Sequence, residues 1–130
     1  MNATTVSNCV LVDSSGWLEY LTGDTKKALF EPYLVAQDKT LIIPTIVIYE
    51  VRKVLLSQQQ KTAADKFYSE AVRLTVVPLD EQIAGNAATN SAQLKMSMAD
   101  AIIYTTAVTK NAQIITSDAH FKDIPIALVL

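Results

Sequence analysis

Short apolar runs rich in β-branched side chains, separated by segments of helical period, limit this chain to a narrow set of folds. Cys9-Val10-Leu11-Val12, Leu41-Ile42-Ile43, Leu74–Val77, Gln113–Thr116 and Ile126–Val129 are the strand candidates. The first is apolar on both sides, as a strand buried within a parallel sheet must be. Between the runs, helices are expected from Asp13-Ser14-Ser15-Gly16 onward, over Thr25–Gln37, from Pro44-Thr45 to about Gln58, and over Thr62–Arg73, Asp80–Leu94 and Ser97–Thr109. Strands alternating with helices predict an α/β domain with a mostly parallel central sheet of four to five strands flanked by helices. With 130 residues and no repeat or low-complexity stretch, residues 1–130 read as a single domain. Met1–Asn8 is expected to be a flexible leader rather than a signal peptide.

Composition narrows the function. Charged or polar residues break every apolar stretch before membrane-spanning length, so the expectation is a cytoplasmic protein with no membrane contact. One cysteine, Cys9, and one histidine, His120, do not make a zinc site built on Cys and His. The net charge of −2 argues against coating nucleic acid by charge alone. If four of the thirteen acids share one metal pocket, however, the other nine face eleven Lys and Arg and the outer surface turns slightly basic. Half the residues are apolar, a high share that suggests surface covered by another chain.

In a parallel sheet of this kind, ligands bind beyond the carboxyl ends of the strands, where strand order reverses. Asp13 follows the first strand and Asp118 follows the fourth, so both project at that edge. Each is also well suited to cap a helix. Glu50 falls among Ile46, Val47 and Val54 on its helix, in the apolar stripe, although an exposed pair with Lys53 is the simpler alternative. Asp100 neighbours Met96, Ile103, Tyr104 and Ala107 at the start of a helix uncharged from Ala101 to Val108. A carboxylate there is also favoured by the helix dipole, and Ser97-Met98-Ala99-Asp100 could form a variant capping box. Two carboxylates about 4 Å apart repel by roughly 4 kcal/mol at an intermediate dielectric. Four converging acids would therefore require protons or hard divalent cations, and oxygen donors select Mg²⁺ or Mn²⁺.

Three segments, VLVDSSGWLEYL, IIPTIVIYEVRKVL and SMADAIIYTTAVTKNAQIITSDAHF, resemble PIN domains, in particular the VapC-type toxins of toxin–antitoxin pairs. The likeness runs along nearly the whole chain, and the last segment is the most specific. By position, the resemblance implies four catalytic acids: Asp13, Glu50, Asp100 and Asp118. Asp13 and Asp100 would be direct metal ligands, Asp118 would help hold the ion or its water, and Glu50 would orient water or a second metal. Ser14 and Thr116 would support the first and last acids. The implied activity is a Mg²⁺- or Mn²⁺-dependent ribonuclease, leaving 5′-phosphate and 3′-hydroxyl ends by attack of an activated water. Lys26, Lys27, Arg52, Lys53 and Lys95 are candidate phosphate contacts. The implied partners are an RNA substrate, a VapB-like antitoxin and a second copy in a homodimer. Trp17, Leu18, Tyr20 and Leu21 span more than one side of a helix, so part of that surface is expected to form the antitoxin groove.

Two other patterns with acids near strand ends fit less well. A haloacid-dehalogenase-like phosphatase needs a second Asp where Ser15 stands, and a phosphoacceptor receiver needs an acidic pair and a late Lys that are missing. A non-catalytic binding module, its acids only capping helices, is the remaining alternative.

Overall fold

A computed structural model describes residues 8–23, 25–35 and 38–130. Apart from Asn8, the expected leader lies outside the described residues. Strand β1 (Cys9–Val12) leads into α1 (Ser14–Thr22) and α2 (Lys27–Val35), then β2 (Thr40–Pro44), α3 (Thr45–Ser57) and α4 (Lys61–Ala71). Strand β3 (Thr75–Val77), α5 (Glu81–Leu94), α6 (Met98–Thr109), β4 (Gln113–Thr116), a single 3₁₀ turn (Ala119–Phe121) and β5 (Ala127–Val129) follow. The sheet has the order β3-β2-β1-β4-β5, and every pairing is parallel.

β1 is the central strand, which is why its side chains are apolar on both faces: Val10, Leu11 and Val12 have no solvent exposure. The chain builds outward from β1 through β2 to β3, then returns to β1's other side with β4 and β5. Strand order thus reverses between β1 and β4, where Val12 pairs with Ile115. The Asp13 amide extends the ladder by one bond, donating to the Ile115 carbonyl at 3.1 Å. Residues just past Val12 and Ile115 therefore emerge side by side at the carboxyl edge.

Gly16 makes the turn from β1 into α1 possible. A β-carbon there would lie 2.6 Å from Val12 Cγ1 and 2.8 Å from Phe30 Cε1, both in fully buried side chains. Gly16→Ala should therefore lower stability by about 1–3 kcal/mol through overpacking, despite a helix-propensity gain of at most about 1 kcal/mol. Urea denaturation checks this; unchanged stability would mean that Val12 and Phe30 yield freely.

Trp17 corrects one expectation. It is buried, meeting Phe67 of α4 edge to face with ring centroids 5.3 Å apart. α1 is held against α2, α3 and β4, and Leu18 and Tyr20 also pack on the core, leaving Leu21 at the surface. The aromatic cluster is absorbed by the sandwich of sheet and helices, so Trp17 does not line an open groove.

Candidate active site at the carboxyl edge of the sheet

Asp13 occupies the turn after β1 in extended conformation and caps α1, its Oδ1 accepting from the Gly16 amide at 3.0 Å. The same oxygen accepts from the Ser15 hydroxyl at 2.7 Å, and Oδ2 accepts from Thr116 Oγ1 at 2.6 Å. Three donors thus fix a carboxylate that is almost wholly buried. Of its roughly four acceptor directions, about one stays open. Burial pushes the Asp13 carboxyl above the usual carboxylate range, and the charge of Asp118 adds to this against the three hydrogen bonds.

Thr116 ends β4 and links both strand-end acids. While its hydroxyl donates to Asp13, its oxygen accepts from the Asp118 amide at 2.9 Å. Asp118 then opens the 3₁₀ turn, its Oδ1 accepting from the His120 amide at 2.8 Å. Phe121 closes that turn in the core without solvent exposure. With the turn anchored at both ends, the imidazole of His120 swings back over the acids. Its Nδ1 lies 3.4 Å from Asp118 Oδ1 and 3.6 Å from Asp100 Oδ2.

Asp100 comes from α6, the nearly all-buried helix whose Ala101, Ile102, Ile103, Thr105, Thr106 and Ala107 face the interior. Ser97 is the N-cap, its hydroxyl oxygen accepting from the Asp100 amide at 3.4 Å. Asp100 is therefore a first-turn acid and not the cap. Burial raises its carboxyl, the charge of Asp118 raises it further, and Ser97 and His120 oppose the shift. Among the described residues, Asp100, Asp118 and His120 each offer one ligand atom within 4.8 Å of the others. A cleft of about 370 Å³ runs past Asp100 and His120, also lined by Lys95 and Ser97.

Glu50 is half-buried on α3, and its carboxylate accepts the Ser14 hydroxyl from the first turn of α1. The support expected from Ser14 for Asp13 comes instead from Ser15, and Ser14 supports Glu50. Helix geometry explains this, because successive side chains on α1 point about 100° apart and only one can lean back on the cap. The alternative pairing of Glu50 with Lys53 does not form; Lys53 instead lies over the Tyr49 ring.

The structure therefore joins Asp100 to Asp118, couples Asp13 to Asp118 through Thr116, and leaves Asp13 and Glu50 outside the three-residue donor set. His120 and Ser15 are additions to the expected site. Of the candidate phosphate contacts, Lys95 borders the cleft. Arg52 pairs with Asp65 at 3.0 Å, and Lys26 donates to the Leu130 carbonyl at 3.1 Å. Lys27 rests over Tyr20.

The PIN domain family model matches residues 10–127, and the chain belongs to that family. No curated protein matches it. Solved structures with the same fold include a toxin–antitoxin complex from Klebsiella pneumoniae, at 20% identity and a TM-score of 0.77, covering 92% of this chain and 96% of that one. VapC20 of Mycobacterium tuberculosis, described as a sarcin–ricin-loop-cleaving toxin, aligns at 16% identity and a TM-score of 0.74, covering 87% and 92%. VapBC2 of Rickettsia felis, solved on a promoter DNA fragment, aligns at 18% identity and a TM-score of 0.71, covering 94% and 97%.

Proposed function

We propose that this chain is a metal-dependent ribonuclease acting as the toxin of a toxin–antitoxin pair. The observation that carries the reading is the convergence of Asp100, Asp118 and His120 beside Asp13, where strand order reverses. Two of these carboxyl groups are raised in pKa by burial and by the charge of Asp118, a crowding that a divalent cation would relieve. The donors present therefore fit Mg²⁺ or Mn²⁺. Asp100 and Asp118 would hold the ion, with Asp13 joining through its remaining lone pair. When bound, such an ion activates water and neutralises charge developing on a phosphodiester.

The other residues act by position. Thr116 and Ser15 fix the Asp13 carboxylate and keep it from turning away. Ser14 orients Glu50 to hold a water for attack. Lys95, at the rim of the cleft, is placed to attract the backbone phosphate of an incoming strand. An exposed cleft of this kind suits unpaired, splayed nucleotides such as those of an RNA loop better than a rigid duplex. Resemblance to VapC20 supports structured RNA as the substrate class.

Capping alone is the competing account, since Asp13 and Asp118 do cap α1 and the 3₁₀ turn. It leaves unexplained why Asp100, which caps nothing, stands beside Asp118 and His120. For partners, we assign a VapB-like antitoxin and a second copy of the chain. The apolar surface they would cover lies away from Trp17. One cleft, between α3 and α4, is lined by Ile48, Tyr49, Leu56 and Tyr68. Another, between α5 and α6, is lined by Leu79, Ala84, Met98 and Ile102. No helix among the described residues is long and apolar enough to cross a membrane. Action in the cytoplasm is part of this proposal and follows from the likeness to toxin–antitoxin proteins.

The test is cleavage of structured and single-stranded RNA by the purified chain, with Mn²⁺, Mg²⁺ or EDTA, followed by analysis of the ends. Cleavage should need the metal, spare DNA and leave 5′-phosphate ends. Cleavage that persists in EDTA, or 5′-hydroxyl ends, would sink the reading.

A further inference from the structure

We infer that His120 is a nitrogen ligand of the ion held by Asp100 and Asp118, tilting the site from Mg²⁺ toward a first-row transition ion such as Mn²⁺. The inference rests on the metal site proposed above and adds a donor of different chemistry to it. His120 has no reason of burial to lean over the acids, since its side chain is 82% exposed. It is brought there by the turn, which buried Phe121 and the Asp118 carboxylate hold from either side. Its Nδ1 stands 3.4 Å from one carboxylate oxygen and 3.6 Å from the other. Adjacent donors around an octahedral ion with bonds of about 2.1 Å lie about 3 Å apart, so small side-chain rotations would bring all three onto one ion.

The chemistry decides the preference. Mg²⁺ takes oxygen donors and gives up water reluctantly, so an imidazole adds little to its binding. Transition ions accept imidazole nitrogen readily, and a mixed nitrogen–oxygen set raises their affinity over that of the carboxylates alone. Lys95 and Asp123 border the same cleft, but neither offers an imidazole nitrogen.

Pulsed electron paramagnetic resonance on the Mn²⁺-loaded full chain tests this without measuring activity. The wild type should show coupling of the manganese spin to a ¹⁴N nucleus, and His120→Ala should lose it. In titrations, His120→Ala should weaken Mn²⁺ binding by about tenfold or more while changing Mg²⁺ binding by less than about threefold. The exposed side chain lets this variant fold, which circular dichroism verifies. Asp100→Asn is the second arm and should lose both ions. Mn²⁺ binding without ¹⁴N coupling, or equal losses for the two ions in His120→Ala, would overturn the role of His120 and leave the acidic site standing. If the wild type binds no Mn²⁺, or Asp100→Asn binds it as well as the wild type, the metal site falls and the inference falls with it.

Discussion

Asp100→Asn should abolish metal-dependent RNA cleavage and leave the metal-free protein as stable as the wild type or more so. The loss of activity should exceed about 100-fold, the upper range for residues that only support a metal ligand. The stability outcome follows from the raised carboxyl. Over the interval between its ordinary pKa of 3.8 and its higher folded-state value, the folded chain binds more protons than the unfolded one. Stability of the metal-free protein therefore falls as pH rises through that interval and stays low above it. Asn carries no charge, so the Asp100 contribution to this slope should vanish and the neutral-pH melting temperature in EDTA should hold or rise. Metal binding has the opposite dependence. It needs the carboxylates ionised, so at a sub-saturating metal concentration metal-dependent cleavage should weaken on acidification. A clear drop in stability for Asp100→Asn in EDTA would show that its charge serves the α6 dipole more than it suffers from burial and Asp118.

Asp13→Ala should be among the most damaging single changes at the site, for a structural reason separate from catalysis. It removes the α1 cap and leaves the Gly16 amide and the Ser15 and Thr116 hydroxyls without the carboxylate that receives them. Thr116 has no solvent exposure, so only a longer bond to Ser15 Oγ, 3.2 Å away, can replace the lost acceptor. Cap loss and unsatisfied donors together should cost about 2–4 kcal/mol in urea denaturation. Asp13→Asn separates the two roles. Its amide oxygen still receives Gly16 and Ser15, and Thr116 can turn its hydrogen toward Ser15 Oγ, 3.2 Å away. This variant should fold close to wild type while losing cleavage. If Asp13→Ala melted like the wild type, the network around Thr116 would not be holding the strand ends.

The main-chain architecture is largely legible from residue pattern, and the reason lies in particular segments. Val10-Leu11-Val12 and Ile114-Ile115 are too short and too uniformly apolar for anything but central parallel strands. The buried helix was readable from Ala101–Val108, and the four acids from their places after strands or within apolar stripes. Side-chain partnerships were less readable, because they depend on rotations that the sequence does not carry. Ser14 and Ser15 are adjacent and chemically alike; only the start of α1 decides which faces Asp13. Trp17 looked like excess apolar surface until α4 placed Phe67 against it. Arg52 pairs with Asp65 on the next helix, a contact set by how α3 and α4 pack. His120 had one signal, an imidazole two residues after Asp118 and just before an aromatic anchor. A lone histidine carries too little pattern to place it at an acidic site until the turn's geometry is known.

The placement of β4 beside β1 has a consequence for the protein's birth on the ribosome. The bond that completes the Asp13 site comes from Thr116, 103 residues later. At about 5–20 residues per second, roughly 5–20 seconds pass between synthesis of the two halves. Throughout that interval one flank of β1 has no β4 to pair with, and neither Asp100 nor Asp118 exists for most of it. A nascent chain thus carries Asp13 and Glu50 before the rest of the proposed site exists, and that site closes only once Thr116 and Asp118 have been made. If the proposed ribonuclease activity holds, the ribosome making the chain is spared until β4 and Asp118 have been added.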